Sequence, residues 1–120
     1  MLVKQSLNKI EPYVTLDKSV IYELLNPLNS PLKRLSVALA VVEEGMETRP
    51  HIHTDFDEIY FIVGGSGTFR SNKDTFEIKK GDIIYIPRNT VHSVVADKGS
   101  KLEILCICIP PYKHETTKLV

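Results

Sequence analysis

Bulky apolar side chains alternate with small or polar ones along most of this chain, the period of a strand whose successive side chains leave opposite faces. Leu35, Val37, Leu39 and Val41 alternate with Ser36, Ala38 and Ala40, which predicts a strand packed on at least one face and ended by Glu43-Glu44-Gly45. Val20–Leu25 reads as a strand or a single helical turn, and the β character of everything after it favours the strand. Further strands are expected at Glu58–Val63, in a hairpin of Thr68–Ser71 and Thr75–Ile78 around Asn72-Lys73, at Ile83–Ile86, at Val91–Val95 and at Leu102–Ile109. Pro110-Pro111 stops the last of them, and Gly64-Gly65-Ser66-Gly67 permits a sharp bend between two others. Residues 10–20 are irregular, with turns at Pro12 and Asp17-Lys18-Ser19, and the segment from Tyr112 to Val120 reads as a polar, peripheral tail. With no convincing helix and no internal repeat, the fold class is all-β, a two-sheet sandwich or barrel.

The length of 120 residues suits one domain, and 42% apolar residues argue for a packed core. Fifteen basic residues balance fifteen acidic ones, so no electrostatic case exists for a nucleic-acid partner or a membrane surface. No apolar run is long enough to span a bilayer, and Met1-Leu-Val-Lys-Gln-Ser lacks the apolar core of a secretory signal, so a cytoplasmic location is expected. Cys106 and Cys108 share one face of an extended strand with poor disulfide geometry, and are read as reduced thiols in the core, a redox or soft-metal role being the alternative.

The chemistry concentrates in the stretch from Gly45 to Gly65. His51 and His53 are two residues apart in an extended segment and therefore point the same way. Thr54-Asp55-Phe56-Asp57 turns the chain, and the strand it leads into begins with Glu58, whose carboxylate can fold back towards both rings. His92, at the start of a returning strand, supplies a third imidazole. Three imidazoles and one carboxylate suit a divalent transition metal.

These residues resemble the cupin superfamily. Its first motif, a Gly, five residues, His, one residue, His, three or four residues, Glu, six residues and a Gly, is matched by Gly45, His51, His53, Glu58 and Gly65. Five such identities would coincide by chance on the order of 10^-7 per starting position. The second motif is met by Gly81, Pro87 and His92, with Asn89 where the family usually has Gly and Ala96 where it usually has Asn. Asn tolerates a left-handed backbone better than most residues, so the first departure is mild.

The resemblance covers residues 35–110 best and implies a single jelly-roll barrel over residues 1–120, with N-terminal strands in 1–34 and a tail at 111–120. It implies metal ligation by His51, His53, Glu58 and His92, the ion being Zn, Fe, Mn, Ni or Cu, and homodimers paired through the N-terminal strands. Tyr60 shares the face of Glu58 and is the candidate catalytic residue lining the cavity, with Phe61 on the opposite side. Arg49 either meets an anionic substrate at the barrel mouth or lies on the surface, and His114 is read as a solvated tail residue, a lid or substrate contact being the alternative. Glu58 makes the pattern look more like acireductone or quercetin dioxygenases than like thiol dioxygenases, which use three histidines without it. The function implied is a metal-dependent dioxygenase, isomerase or cyclase acting on a small oxygenated molecule; the alternative is a non-catalytic binding or sensing domain.

Overall fold

Eleven strands carry the chain from Met1 to Val120 in a computed structural model that describes every residue. They are β1 (Tyr13–Val14), β2 (Val20–Leu25), β3 (Ser36–Val42), β4 (His51–His53), β5 (Asp57–Gly64), β6 (Ser66–Ser71), β7 (Thr75–Lys79), β8 (Ile83–Ile86), β9 (His92–Ala96), β10 (Leu102–Ile109) and β11 (Thr117–Leu119). The order β1-β2-β3-β10-β5-β8 makes one sheet and β11-β4-β9-β6-β7 the other, all pairs antiparallel, and the two form a jelly-roll barrel. The strands expected from the alternation are present with their ends moved by a residue or two. The only helical pieces are 3-10 turns at Leu7–Lys9 and His114–Thr116. No helix is long and apolar enough to cross a membrane.

Two short strands escape the pattern. β1 and β11 have two and three residues, too few for a periodicity to register, and each exists because a neighbouring strand offers it a free edge. β11 also corrects the reading of the tail as peripheral. Its register places Thr117 opposite His53 and Leu119 opposite His51, so the tail is paired into the sheet that carries the histidines.

The two sheets enclose an interior with two characters. At one end Ile62, Leu102, Ile104, Phe69, Ile78, Ile86 and Val94 form a continuous apolar core. Towards the other end the walls turn polar. Strand β3 helps to make the room: its small residues Ser36, Ala38 and Ala40 face the interior, while Leu39 and Val41 face outwards beside Leu7, Val20 and Tyr22 of the N-terminal segment. Had the bulky set pointed inwards, it would have filled the space that a ligand could occupy.

Between β5 and β6 the chain reverses at Gly65, whose φ of +79° and closeness to β10's approach leave no room for a side chain: a Cβ there would lie 2.1 Å from the carbonyl oxygen of Lys101. Asn89 adopts the left-handed conformation expected of it, with φ at +66°, and its N–H donates to the His53 carbonyl at 2.7 Å. The turn after β8 is thereby tied to the strand that bears two histidines.

Candidate metal centre

The site is assembled by cross-strand pairing, which fixes side-chain neighbours more firmly than loops do. His51 on β4 pairs with His92 on β9, His53 with Thr117 on β11, Glu58 on β5 with Cys108 on β10, and Tyr60 with Cys106. All three histidines and Glu58 are buried. Each histidine offers one ring nitrogen to a common space, the three lying within 4.8 Å of one another.

Hydrogen bonds fix which nitrogen that is. The Nδ1 of His51 lies 2.9 Å from the Arg49 carbonyl and that of His92 lies 2.9 Å from the Thr90 carbonyl. A carbonyl only accepts, so both rings carry their proton on Nδ1 when neutral. The Nδ1 of His53 lies 2.9 Å from the Thr117 hydroxyl, which spends its own proton on the Lys113 carbonyl at 3.2 Å and so accepts from the ring. Every Nε2 is left with a free lone pair.

Those lone pairs face carboxylates. Oε1 of Glu58 stands 3.1 Å from Nε2 of His53 and 3.5 Å from Nε2 of His92, and neither Oε1 nor the His92 Nε2 has a hydrogen-bond partner. Acceptors turned on one another in a buried site are costly unless a positive species lies between them. Two atoms that each bind an ion at about 2.1 Å stand about 3.0–3.4 Å apart when their bonds meet at right or tetrahedral angles, so the spacing fits a divalent cation. Cys108 Sγ, 3.5 Å from Oε2, orients the other oxygen of Glu58.

Without an ion, protons take its place. Burial raises the Glu58 carboxyl, but positive charge and protons on the Nε2 atoms of His53 and His92, where these rings are protonated, outweigh it and hold the group well below the usual carboxylate range. Burial, helped by the charge of His92, pushes His51 down to about 4, with Asp17 pulling the other way. The unfolded chain takes up this proton near pH 6.5 and the folded chain only near pH 4. The stability contributed is therefore full above pH 6.5 and lost as pH falls through that window, by on the order of 3 kcal/mol. Urea midpoints of metal-free protein should fall between pH 7 and pH 4.5, and a flat profile over that range would contradict a buried neutral His51.

A cavity of about 50 Å³ opens beside His51, His53 and Glu58. One water needs roughly 10–15 Å³ measured this way, so the space admits a group of a few heavy atoms. Tyr60 lines it as expected, with Tyr112, Cys106, Asp17, Glu23 and Ala38 among the other walls. Burial and the nearby Glu58 push the Tyr60 phenol up, so it stays protonated at neutral pH. Both cysteines are free and buried. Phe61 lies on the outward face of β5, as the alternation requires.

Arg49 is a surface residue: its side chain is exposed and absent from the cavity wall, while its backbone carbonyl holds the His51 ring. His114 is exposed, 3.4 Å from the Tyr112 hydroxyl. Three residues at the site were not legible in advance. Thr117 and Tyr112 come from the tail, and Asp17 from the irregular N-terminal stretch reaches within 3.3 Å of the His51 Nε2. Nothing in their local sequence distinguishes them from ordinary turn residues.

Thr117 has the role of fixing the His53 tautomer and ring angle. Exchanging it for the isosteric valine, Thr117→Val, should weaken divalent-cation binding by about 10–100-fold, and Thr117→Ser should restore it. Chelator competition reads both, and equal affinity in Thr117→Val and wild type would remove the residue from the site.

Comparison with known proteins follows the same lines. The cupin domain profile matches residues 38–108. An uncharacterized protein of Methanocaldococcus jannaschii is 41% identical over 99% of this chain and 95% of its own length. An acireductone dioxygenase of Leptospira interrogans is 27% identical over 96% of this chain, which spans 63% of that enzyme. Among solved structures, the polyketide cyclase RemF of Streptomyces resistomycificus superposes with a TM-score of 0.85 over the whole chain and 86% of its own, at 17% identity, a likeness of fold.

Proposed function

This chain belongs to the cupin family, and from that premise we propose that it is a metal-dependent enzyme acting on a small oxygenated organic molecule, with His51, His53, Glu58 and His92 as the ligands of a divalent transition metal. The observation that carries the reading is the convergence of three buried Nε2 lone pairs with an unpartnered Glu58 oxygen. A bound ion would supply Lewis acidity towards a substrate oxygen. The acireductone dioxygenase among the relatives supports chemistry of that general kind.

The chain's own residues set what can enter. The wall carries the carboxyl groups of Asp17, Glu23 and Glu58 but no lysine or arginine, so a bound ion would be the sole positive charge offered to an anionic oxygen. Hydroxyl groups are served by Glu23, which already accepts from the Tyr13 hydroxyl at 2.7 Å. Tyr60 can donate from its protonated phenol to a carbonyl or enol oxygen, which makes it the candidate catalytic residue. Tyr112, pushed up to about 12 by burial, is a second donor of the same kind. The reading includes a homodimer, supported by the free edge of β1, where Val14 is 64% exposed.

The test is elemental analysis of protein purified without chelator, followed by a screen of the metal-loaded protein against small enediols, hydroxyketones and phenols with dioxygen uptake recorded. Turnover that stops on chelation and returns with the metal is the expected result. Protein that binds such compounds and converts none would be a binding or sensing cupin instead, and protein that holds no divalent ion would sink both readings.

A further inference from the structure

The hairpin joining β1 to β2 does more than edge a sheet. Its tip, Thr15 to Ser19, is closed by bonds from the Thr15 N–H to the Ser19 carbonyl at 3.0 Å and from the Lys18 N–H to the Thr15 carbonyl at 3.1 Å. Lys18 is held with φ at +79°, a conformation a lysine adopts only where its surroundings enforce it. The Arg49 N–H reaches across to the Asp17 carbonyl at 2.7 Å and ties this tip to the segment leading into β4. The Asp17 side chain is thereby turned into the barrel mouth.

Its two oxygens are in unlike surroundings. Oδ1 accepts from the Ser19 N–H at 2.9 Å, from the Ser19 hydroxyl at 2.6 Å and from the Thr15 hydroxyl. Oδ2 faces the His51 Nε2 at 3.3 Å, with its side chain 12% exposed. Because the Arg49 carbonyl takes the Nδ1 proton of that ring, this is again an acceptor turned on a lone pair, as at Glu58. The spacing equals that of neighbouring ligand atoms on one ion.

We propose that Asp17 is a further ligand of the cation held by the three histidines and Glu58, delivered by the N-terminal hairpin. This rests on the metal-binding reading above. The set would then comprise three nitrogens and two carboxylates. A six-coordinate ion would then keep one open position, so a substrate binding through two oxygens would have to displace one ligand. A second carboxylate also shifts preference towards harder divalent ions.

Cobalt(II) is the probe, since its visible spectrum reports coordination number and donor set independently of activity. Wild-type protein and Asp17→Asn are titrated with Co2+ against a competing chelator. The asparagine keeps an oxygen to accept from Ser19 and Thr15, and circular dichroism of each variant shows whether the fold is retained. The expected result is a loss of affinity of about 10–100-fold together with a changed absorption band. Ser19→Ala, which loosens the loop but keeps the carboxylate, should lose less affinity and keep the wild-type band. Weaker binding with an unchanged spectrum in Asp17→Asn would mean that the carboxylate acts only through its field, and overturns ligation; unchanged affinity and spectrum do the same. Failure of the wild type itself to bind Co2+ would remove the metal reading along with this one.

Discussion

Replacing His53 with alanine will weaken divalent-cation binding by on the order of 10^3-fold while leaving a folded protein. Apparent binding energies of four-ligand zinc sites run to about 10–16 kcal/mol, and one donor's share of that is worth about three decades in affinity. His53 is central to the arrangement: its Nε2 faces Glu58, its Nδ1 is held by Thr117, and its ring lies against Phe56 with centroids 4.4 Å apart. The fold survives because the apolar core around Ile62, Leu102 and Ile104 does not include it. Chelator competition measures the affinity and urea unfolding of the metal-free variant measures the fold. A variant with full stoichiometry and wild-type affinity would show that this imidazole does not hold the ion.

Gly65→Ala should be the most destabilising single methyl addition in the chain, costing more than about 3 kcal/mol and lowering Tm by about 10 °C or more. Two penalties coincide there. The positive φ disfavours any side chain, and the new Cβ would stand 2.1 Å from the Lys101 carbonyl oxygen, a backbone atom that cannot rotate away. Gly45→Ala isolates the first penalty: φ is +71° but nothing lies within 4 Å, so it should cost only about 1 kcal/mol. Equal Tm values for the two variants would show that the backbone can relax around Gly65. Cation affinity of the folded fraction should be unchanged by either.

Gly65 was also a position of the first motif, and the structure gives its physical reason: the turn after β5 lies against the Lys101–Leu102 backbone, and only a residue without a Cβ fits there. Asn89 is the complementary case. It departs from the usual glycine yet takes the same left-handed backbone and bonds the His53 carbonyl, so the turn after β8 keeps its shape.

The alternation of the strands and the spacing of His51, His53, Glu58 and His92 were local properties, readable because a strand repeats every two residues and a motif is a fixed set of gaps. Which face of β3 points inwards was not: bulky and small residues alternate equally well in either orientation. Only the packing of the N-terminal segment over Leu39 and Val41 put Ser36, Ala38 and Ala40 against the cavity.

By itself, then, the chain determined that it would be a cupin barrel and which four side chains would be drawn together inside it. The tertiary structure decided what surrounds them: Thr117 and Tyr112 from the end of the chain, Asp17 from its beginning, and Cys108 across from Glu58. These contacts join residues up to 64 positions apart through strand pairing and a hairpin tip. Such pairing depends on which sheet edges remain free once the barrel closes, and no short stretch of sequence encodes that.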